Sequence, residues 1–309
     1  MRTSGIAAAL LLAACAGGKD NIDITKPVTG EAATNAQRAY QKGLQEKKDS
    51  NFLEATRYFE WVRNNFPYSQ YAALAELALA DMAFDRDDYG AAAAAYQDFV
   101  KSHPSHPKAD YASFRVGLAY YQDKPSEWFL LPPSREKDQA PIRSALDAFQ
   151  RFTLAYPKSE FIHRAKDLIA DCRERLAGHE RYVADFYWKR NAWRGAAGRL
   201  MGLADIYGDL EGGKVRSDSL WSAALAYRNA KDPAREKVAL QRLLQEAPDS
   251  PHRRDAEQML KELPALPSPA PPQQQPPAAP GKPPAPSTSE QPPPADLPPR
   301  PTPPGQSDK

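Results

Sequence analysis

The feature that most constrains the fold of this chain is a short string that recurs four times after an apolar, helix-forming stretch. Each copy holds a proline, followed two residues later by serine or histidine, after which helix-forming residues resume. Proline cannot continue a helix, whereas serine and histidine can cap the start of the next one. The recurrence therefore predicts the turn of a repeated helical unit rather than a repeated binding site. The copies are NFPYSQYA at Asn65–Ala72, SHPSHPKA at Ser102–Ala109, AYPKSEFI at Ala155–Ile162 and EAPDSPHR at Glu246–Arg253.

Small and aromatic residues recur at helical spacing between these turns. Between Ala33 and Leu263 there is no convincing period-two alternation, so helices rather than strands are predicted. In a tetratricopeptide unit of about 34 residues, small residues let two helices approach closely, aromatic residues fill the space beside them, and proline ends the second helix. Five copies follow one another: Gly43, Ala55, Phe59 and Pro67; Ala80, Ala92, Tyr96 and Pro104; Gly117, Tyr120, Ala145, Phe149 and Pro157; Ala184, Tyr187, Trp193, Ala196 and Leu200; and Ala224, Tyr227, Leu240 and Pro248, with Glu236 where a small residue is expected.

A helix pair of this kind cannot bury its apolar face alone, so several pairs must stack. We therefore predict an all-α tetratricopeptide-repeat solenoid of about five helix pairs over residues 33–263. The third repeat is interrupted by a long loop at residues 122–141. The segment Phe161–Asn191 exceeds one repeat helix and is either one long helix or two helices hinged near Gly178. The fourth repeat ends in IYGDLEGG, Ile206–Gly213, without a proline.

The first residues of the chain have the pattern of a bacterial lipoprotein signal. One cation, Arg2, precedes an apolar run that is too short to span a bilayer but fits a secretory signal. The stretch LAAC that ends at Cys15 resembles the lipobox, which implies a signal peptide at residues 1–14, acylation of Cys15 and a linker at residues 15–32. Ala16, rather than aspartate, points to the outer membrane. The alternative is an ordinary signal peptide with a chance cysteine.

The last segment, residues 264–309, carries 19 of the 31 prolines of the chain. Such a segment has too little apolar content to fold and is predicted to be disordered, with local polyproline II. It is either a featureless tail or a spacer that contacts the cell wall.

Several functional classes are disfavoured by the sequence. A formal net charge of +2 is too small to suggest a nucleic-acid partner. His103 and His106 lie in a turn with no obvious third ligand, so no metal site is predicted. The chain lacks a glycine-rich phosphate loop and a nucleophile elbow, so we predict neither catalytic residues nor a cofactor. Cys172 has no partner cysteine once Cys15 is acylated, so stability must come from packing.

Apolar side chains occur at positions that face the concave surface in solenoids of this type. A solvated groove would not need them, so we predict a groove for an extended, aromatic-bearing peptide. The alternative is that a tightly wound solenoid buries them between adjacent first helices. The predicted groove residues are Tyr40, Leu44, Leu77, Phe84, Tyr111, Phe114, Leu118 and Tyr121.

The fourth repeat, HERYVADFYWKRNAWRGAAGRL, mixes aromatic residues and arginines, a composition enriched at protein interfaces. We predict a partner surface at Trp188, Trp193, Arg194 and Arg199. The alternative, an ordinary helix pair with cations on its solvated face, leaves Trp188 without a structural role.

The strings FPYSQYA, HPSHPKADYASFRVGLAYY and CRERLAGHERYVADFYWKRNAWRGAAGRL, together with the interrupted third repeat, resemble the BamD family, also called YfiO or ComL. The resemblance covers residues 33–263 and the lipobox. It implies a five-repeat periplasmic scaffold of the β-barrel assembly machinery, anchored by lipid in the inner leaflet of the outer membrane. The C-terminal repeats would bind the POTRA region of BamA, other assembly lipoproteins would also bind, and the N-terminal repeats would receive unfolded barrel proteins whose recognition segments end in aromatic residues.

By position, the resemblance assigns the groove role to Tyr40, Phe84, Tyr111, Phe114 and Tyr121. It assigns the partner role to the region around Trp193, Arg194 and Arg199.

A rival interpretation is a cell-envelope coordinator that acts with peptidoglycan or Tol–Pal proteins. It would fit the proline-rich tail, but such proteins usually begin with a coiled coil, and no heptads precede Ala36. A lipid-anchored hydrolase is a third class, and no nucleophile with its base supports it.

Overall fold

A computed structural model describes residues 32–124 and 134–263 of the chain. The predicted signal peptide, Cys15 with nearly all of the linker that follows it, residues 125–133 of the loop in the third repeat, and the whole proline-rich tail at residues 264–309 lie outside the described residues. The described part folds into helices α1 (Ala32–Lys48), α2 (Phe52–Asn65), α3 (Gln70–Asp85), α4 (Tyr89–Ser102), α5 (Ala109–Gln122), α6 (Ala140–Ala155), α7 (Ile162–Lys189), α8 (Trp193–Tyr207), α9 (Lys214–Asn229), α10 (Pro233–Glu246) and α11 (Arg253–Glu262). None of these helices is long and apolar enough to cross a membrane.

Each helix packs against the helices before and after it in the chain, which is the arrangement of a repeat solenoid. The pairs α1–α2, α3–α4, α5–α6, α7–α8 and α9–α10 form repeats 1 to 5, and α11 packs on α10. The all-α repeat fold predicted from the sequence is therefore confirmed.

Close contact between the two helices of a repeat depends on small residues facing aromatic rings. A Cβ atom built on Gly43 would lie 2.7 Å from the Phe59 ring, and one built on Gly117 would lie 2.5 Å from the Phe149 ring. Both rings are fully buried. A larger side chain at either glycine would collide with the ring, which is why the pattern requires small residues there.

The proline-containing turns between repeats share one hydrogen-bonding device. Two residues after each proline, a side-chain atom accepts a hydrogen bond from a nearby backbone N–H. The predicted capping role is confirmed for Ser69, which is the N-cap of α3. The other three bonds lie within the turn, and α5, α7 and α11 have no side-chain cap. The four bonds run from Ala72 N–H to Ser69 Oγ (3.2 Å), from Lys108 N–H to His106 Nδ1 (3.0 Å), from Phe161 N–H to Ser159 Oγ (3.3 Å) and from His252 N–H to Ser250 Oγ (3.1 Å).

The turns inside repeats 1, 2, 4 and 5 share a different device. Each contains a residue other than glycine in the left-handed region, at φ between 55° and 63°. The following N–H closes the helix end by donating to the carbonyl five residues earlier, for example from Asp232 to Tyr227 at 3.0 Å. The left-handed residues are Ser50, Asp87, Asn191 and Lys231. The sequence did not predict this device.

Helix α7 joins the two halves of the solenoid. It runs unbroken through Gly178 for 28 residues, which decides between the two predicted alternatives. Its middle turns contribute Cys172 and Leu176 to a core shared with repeat 3, whereas Tyr187 and Trp188 in its last turns pack on the core of repeats 4 and 5.

Two irregular segments contact α7 or follow it. In the described part of the loop in repeat 3, a short 3-10 turn at Ser134–Glu136 contacts α7, where the Arg135 carbonyl lies 2.7 Å from His179 Nδ1. After α8, the turn without proline places Glu211, Gly212 and Gly213 in the left-handed region before α9 begins.

Candidate functional site

The eight predicted groove residues differ in exposure. Leu44 is exposed. Four aromatic residues are half-buried, namely Tyr40, Phe84, Tyr111 and Tyr121. The other three are buried in the core, namely Leu77, Phe114 and Leu118. We use the name inner surface for Leu44 and the four half-buried aromatic residues.

The expectation that Leu77, Phe114 and Leu118 present their side chains to a groove was wrong. Phe114 is 2 % exposed and stacks on Phe161, with ring centroids 5.0 Å apart and planes 12° apart. Phe161 immediately precedes α7 and covers the side of α5 that carries Phe114. Helical periodicity had predicted that this side would be open to a ligand. The alternative of core packing therefore holds for these three residues.

A polar network between repeats 2 and 3 holds the centre of the inner surface. Tyr96 and Tyr111 both donate their hydroxyl groups to Asp81 Oδ1, and the bond from Tyr111 measures 2.8 Å. Arg115 donates from Nε to the Tyr96 hydroxyl at 2.9 Å, and its guanidinium lies 3.9 Å from the centre of the Phe84 ring. The network fixes Phe84 and Tyr111 by contacts across two repeats.

Protonation keeps this network intact. Burial, followed by the charge of Asp81, raises the pKa of both Tyr96 and Tyr111 well above the ordinary value. Both hydroxyl groups therefore remain donors to Asp81 at neutral pH. Sequence reasoning missed Asp81 and Arg115, although Arg115 lies one turn after Tyr111 on the same side of α5.

A second polar cluster lies where repeat 3 meets α7. Tyr121 donates to Asp171 Oδ2 at 2.7 Å, Arg175 donates to the same oxygen at 2.6 Å, and Lys124 lies 4.1 Å from the centre of the Tyr121 ring. Burial alone would raise the pKa of Asp171, but the hydrogen bonds from Arg175 and Tyr121 outweigh it and lower that pKa. Asp171 is therefore ionised and holds Tyr121 at the edge of the inner surface.

In repeat 1 the inner surface is apolar. The Tyr40 ring lies between Phe59 and Tyr71, at centroid distances of 5.6 and 5.9 Å. Leu44, one turn later on α1, is 42 % exposed. This end therefore offers apolar contact area to the side chain of a ligand.

The predicted partner surface lies around the turn between α7 and α8. The rings of Trp188 and Trp193 meet edge to face at 5.2 Å. Arg194 is mostly exposed and lies 3.7 Å from Asp232, whereas Arg199 contacts Glu180 at 3.1 Å. Trp188 thus has a structural neighbour in Trp193, and both tryptophans remain half-buried.

Two further side chains extend this surface beyond the residues predicted from the sequence. Phe186 is 41 % exposed, and the guanidinium of Arg190 lies 3.5 Å from the centre of its ring. Exposed aromatic rings beside arginines are typical of protein interfaces.

The described residues contain no cluster of three or more side chains suited to hold a metal ion. Cys172 is fully buried on the side of α7 that faces the core. Burial, with a contribution from Asp171, raises the pKa of its thiol to about 12. The thiol is therefore protonated at neutral pH and acts as a small apolar group in the core.

Comparisons with known proteins agree with this architecture. Residues 32–216 match the family YfiO, described as an outer membrane lipoprotein, and residues 218–250 match a tetratricopeptide repeat family. The outer membrane protein assembly factor BamD of Neisseria meningitidis serogroup A is 28% identical over 226 residues, which cover 72% of this chain and 82% of that protein. The BamD of Vibrio cholerae is 28% identical over 210 residues, covering 67% and 83% of the two chains.

Among solved structures, the TPR2AB domain of yeast Sti1 in a complex with pHSP90 aligns with a TM-score of 0.37 and 12% identity, over 74% of this chain and 98% of that one. At that level the likeness carries no argument about function.

Proposed function

Because the chain belongs to the YfiO family of outer membrane lipoproteins, we propose that it is an outer membrane protein assembly factor at the periplasmic face of the outer membrane. It acts as a non-enzymatic scaffold that receives unfolded β-barrel proteins and presents them to the insertion machinery. The name shared by its relatives, outer membrane protein assembly factor, supports this role.

The inner surface is the observation that carries the proposal. Half-buried aromatic rings on the first helices of repeats 1 to 3 offer apolar contacts, while the polar networks around Asp81 and Asp171 hold those rings in place. A surface held in advance loses little side-chain entropy when a ligand binds. We assign the inner surface to an extended segment of an unfolded barrel protein that carries aromatic side chains.

Repeat 4 is the proposed contact for the machinery itself. The exposed ring of Phe186, the Trp188–Trp193 pair and the cation of Arg194 offer apolar anchors beside positive charge. We assign this surface to the POTRA region of a BamA-like partner, with other assembly lipoproteins bound elsewhere. Acyl chains on Cys15 tether the scaffold to the membrane.

The test of the inner surface compares two exposed leucines of repeat 1. We expect Leu44→Asp to weaken binding of a fluorescent peptide from the C-terminal strand of a barrel protein by about tenfold, because it places a charge among apolar contacts. Leu53 is 67 % exposed at the start of α2, the second helix of the same repeat, and is not part of the inner surface as defined, so Leu53→Asp is the matched control. Equal affinities of the two variants would refute the assignment.

The cellular test is depletion of the protein in its native host. We expect many barrel proteins to be lost from the outer membrane, and a BamA-like protein to co-purify before depletion. An Arg194→Glu variant is expected to reduce that co-purification, whereas Arg57→Glu, an exposed cation in repeat 1, is not. Normal levels of barrel proteins after depletion would contradict the assembly role.

A further inference from the structure

A groove of about 380 Å³ lies on the outer side of α5, between the second helices of repeats 2 and 3. Its floor is formed by Ser113 and Val116 of α5. Its walls carry Lys101 of α4 and Arg151 of α6, and Tyr156 stands at one end.

The groove continues along the turns that end repeats 2 and 3. A second cavity of about 430 Å³ shares Ala155 and Tyr156 with the first and reaches Asp110 and Lys158. We use the name outer groove for the two together. The two parts therefore adjoin each other at the end of α6.

The outer groove is separate from the inner surface. Side chains on a helix turn by about 100° per residue, so Ser113 and Val116 lie roughly 140–200° around α5 from Tyr111. Arg115 and Leu118 lie within about 40° of Tyr111 and belong to the other side. A ligand in the outer groove therefore contacts a different face of the helix from one on the inner surface.

The floor of the outer groove is apolar and its rim is positive. Val116 is 6 % exposed, and Val100 and Tyr156 are half-buried. Within the described residues, neither Lys101 nor Lys158 forms an ion pair, and Arg151 is paired only with Asp147 on its own helix.

The carboxylate that lines the outer groove is already satisfied. Asp110 accepts hydrogen bonds from the Ser159 hydroxyl and from the backbone N–H of Tyr111, both at 2.7 Å. The outer groove is therefore lined by three cations, one of them paired with Asp147, and by one carboxylate, so its rim carries net positive charge. The groove is complementary to a ligand with negative charges flanking an apolar side chain.

We propose that the outer groove binds an extended acidic segment of a partner protein, with aliphatic side chains on the floor and carboxylates at Lys101, Arg151 and Lys158. An extended chain points alternate side chains in opposite directions, which suits an apolar floor and a charged rim.

The test measures fluorescence anisotropy of a short labelled peptide in which Asp and Glu alternate with Leu and Val. A peptide with Lys in place of every acidic residue is the ligand control. We expect the acidic peptide to bind the full chain and the basic one not to. The triple variant K101E/R151E/K158E is expected to weaken binding by at least about tenfold.

The protein control is K237E/R254E/K261E, which makes the same change in net charge at exposed lysine and arginine residues of α10 and α11. Ala155 is exposed at the end of α6, where it lines the outer groove. Ala155→Trp therefore narrows the outer groove without a change in charge and is also expected to weaken binding. Thermal melting of all variants checks that each is folded.

Three results would overturn the proposal. The first is that the acidic peptide does not bind. The second is that the control triple variant weakens binding of the peptide as much as the groove triple variant does, which would indicate nonspecific charge attraction. The third result is that binding of phosphatidylglycerol vesicles requires the groove cations whereas binding of the acidic peptide does not. That result would assign the groove to lipid headgroups.

Discussion

At the scale of single residues, the fold depends on positions where a side chain larger than that of glycine would collide with a neighbouring helix. Gly117 faces the buried Phe149 ring across repeat 3, whereas Gly178, in the middle of α7, has nothing within 4 Å of a built Cβ. The same substitution at the two sites should therefore have opposite effects on stability.

We expect Gly117→Ala to lower the free energy of unfolding by about 1–2 kcal/mol, because overpacking costs more than the helix propensity that alanine gains. Gly178→Ala should raise it by up to about 1 kcal/mol. Urea unfolding of both variants measures the two changes. A stabilised Gly117→Ala variant would contradict the steric account of the pattern.

A histidine in a turn gives a second prediction at this scale. His106 lies near Phe99 and His103, and burial, followed by the charges of His103 and Lys108, lowers its pKa from the ordinary value of 6.5. Its Nδ1 must be unprotonated to accept the bond from Lys108 N–H. His103 in turn contacts Glu76 at 2.8 Å.

Since the pKa of His106 is lower in the folded than in the unfolded chain, the unfolded chain binds more protons as the pH falls below about 6.5. Folded stability should therefore decrease from about pH 7.5 to about pH 5.5. His106→Asn keeps a hydrogen-bond acceptor but does not titrate, so the fall in melting temperature over that range should be smaller. An equal fall in both proteins would show that other groups control the effect.

At the scale of elements, the turns differ in how far the sequence predicted them. The turns between repeats were predicted because proline acts locally on the helix that it ends. The turns inside repeats were not, because the left-handed position is held by Ser50, Asp87, Asn191 and Lys231, which share no residue type. Glycine, the usual signal for such a position, is absent from all four.

This difference predicts a stabilising substitution. Lys231 is exposed and holds φ at 55°, a conformation that costs an L-residue about 1 kcal/mol. We expect Lys231→Gly to raise the melting temperature by a few degrees. Asn191→Gly is the control, since asparagine already tolerates this conformation and should gain less. A melting temperature that falls in Lys231→Gly would contradict the account.

The candidate site was predicted only in part, for a related reason. Helical periodicity places Phe114 and Tyr111 on the same side of α5, and it cannot show that Phe161, which is distant in sequence, covers one and leaves the other half-exposed. The bond from Tyr111 to Asp81 likewise joins two repeats. The sequence predicted the role of residues that contact only the other helix of their own repeat. It could not predict the burial of residues that are covered by the next repeat.

At the scale of the whole solenoid, the cores are local. Repeats 1 and 2 share one core that includes Phe59, and repeats 4 and 5 with α11 share another that includes Leu243. Two further cores lie between them, and the one beneath α7 connects repeats 3 and 4. The inner surface and the predicted partner surface of repeat 4 therefore lie on different cores, which α7 links.

This arrangement predicts that damage stays near its origin. Leu243→Ala removes a fully buried side chain and should cost about 2–5 kcal/mol. In a solenoid each repeat is stabilised mainly by its neighbours, so hydrogen exchange should accelerate in α8 to α11 and remain unchanged in α1 to α4. Phe59→Ala should show the reverse distribution, and mass spectrometry of exchanged peptides resolves both.

The two variants also separate the proposed activities. Leu243→Ala should weaken co-purification of the BamA-like partner while peptide binding at the inner surface persists, and Phe59→Ala should do the opposite, because Phe59 packs directly on Tyr40. Uniform acceleration of exchange in every helix of the described residues would mean that the solenoid unfolds as one unit. In that case the two surfaces could not be separated by core substitutions, and only surface variants such as Leu44→Asp and Arg194→Glu would distinguish them.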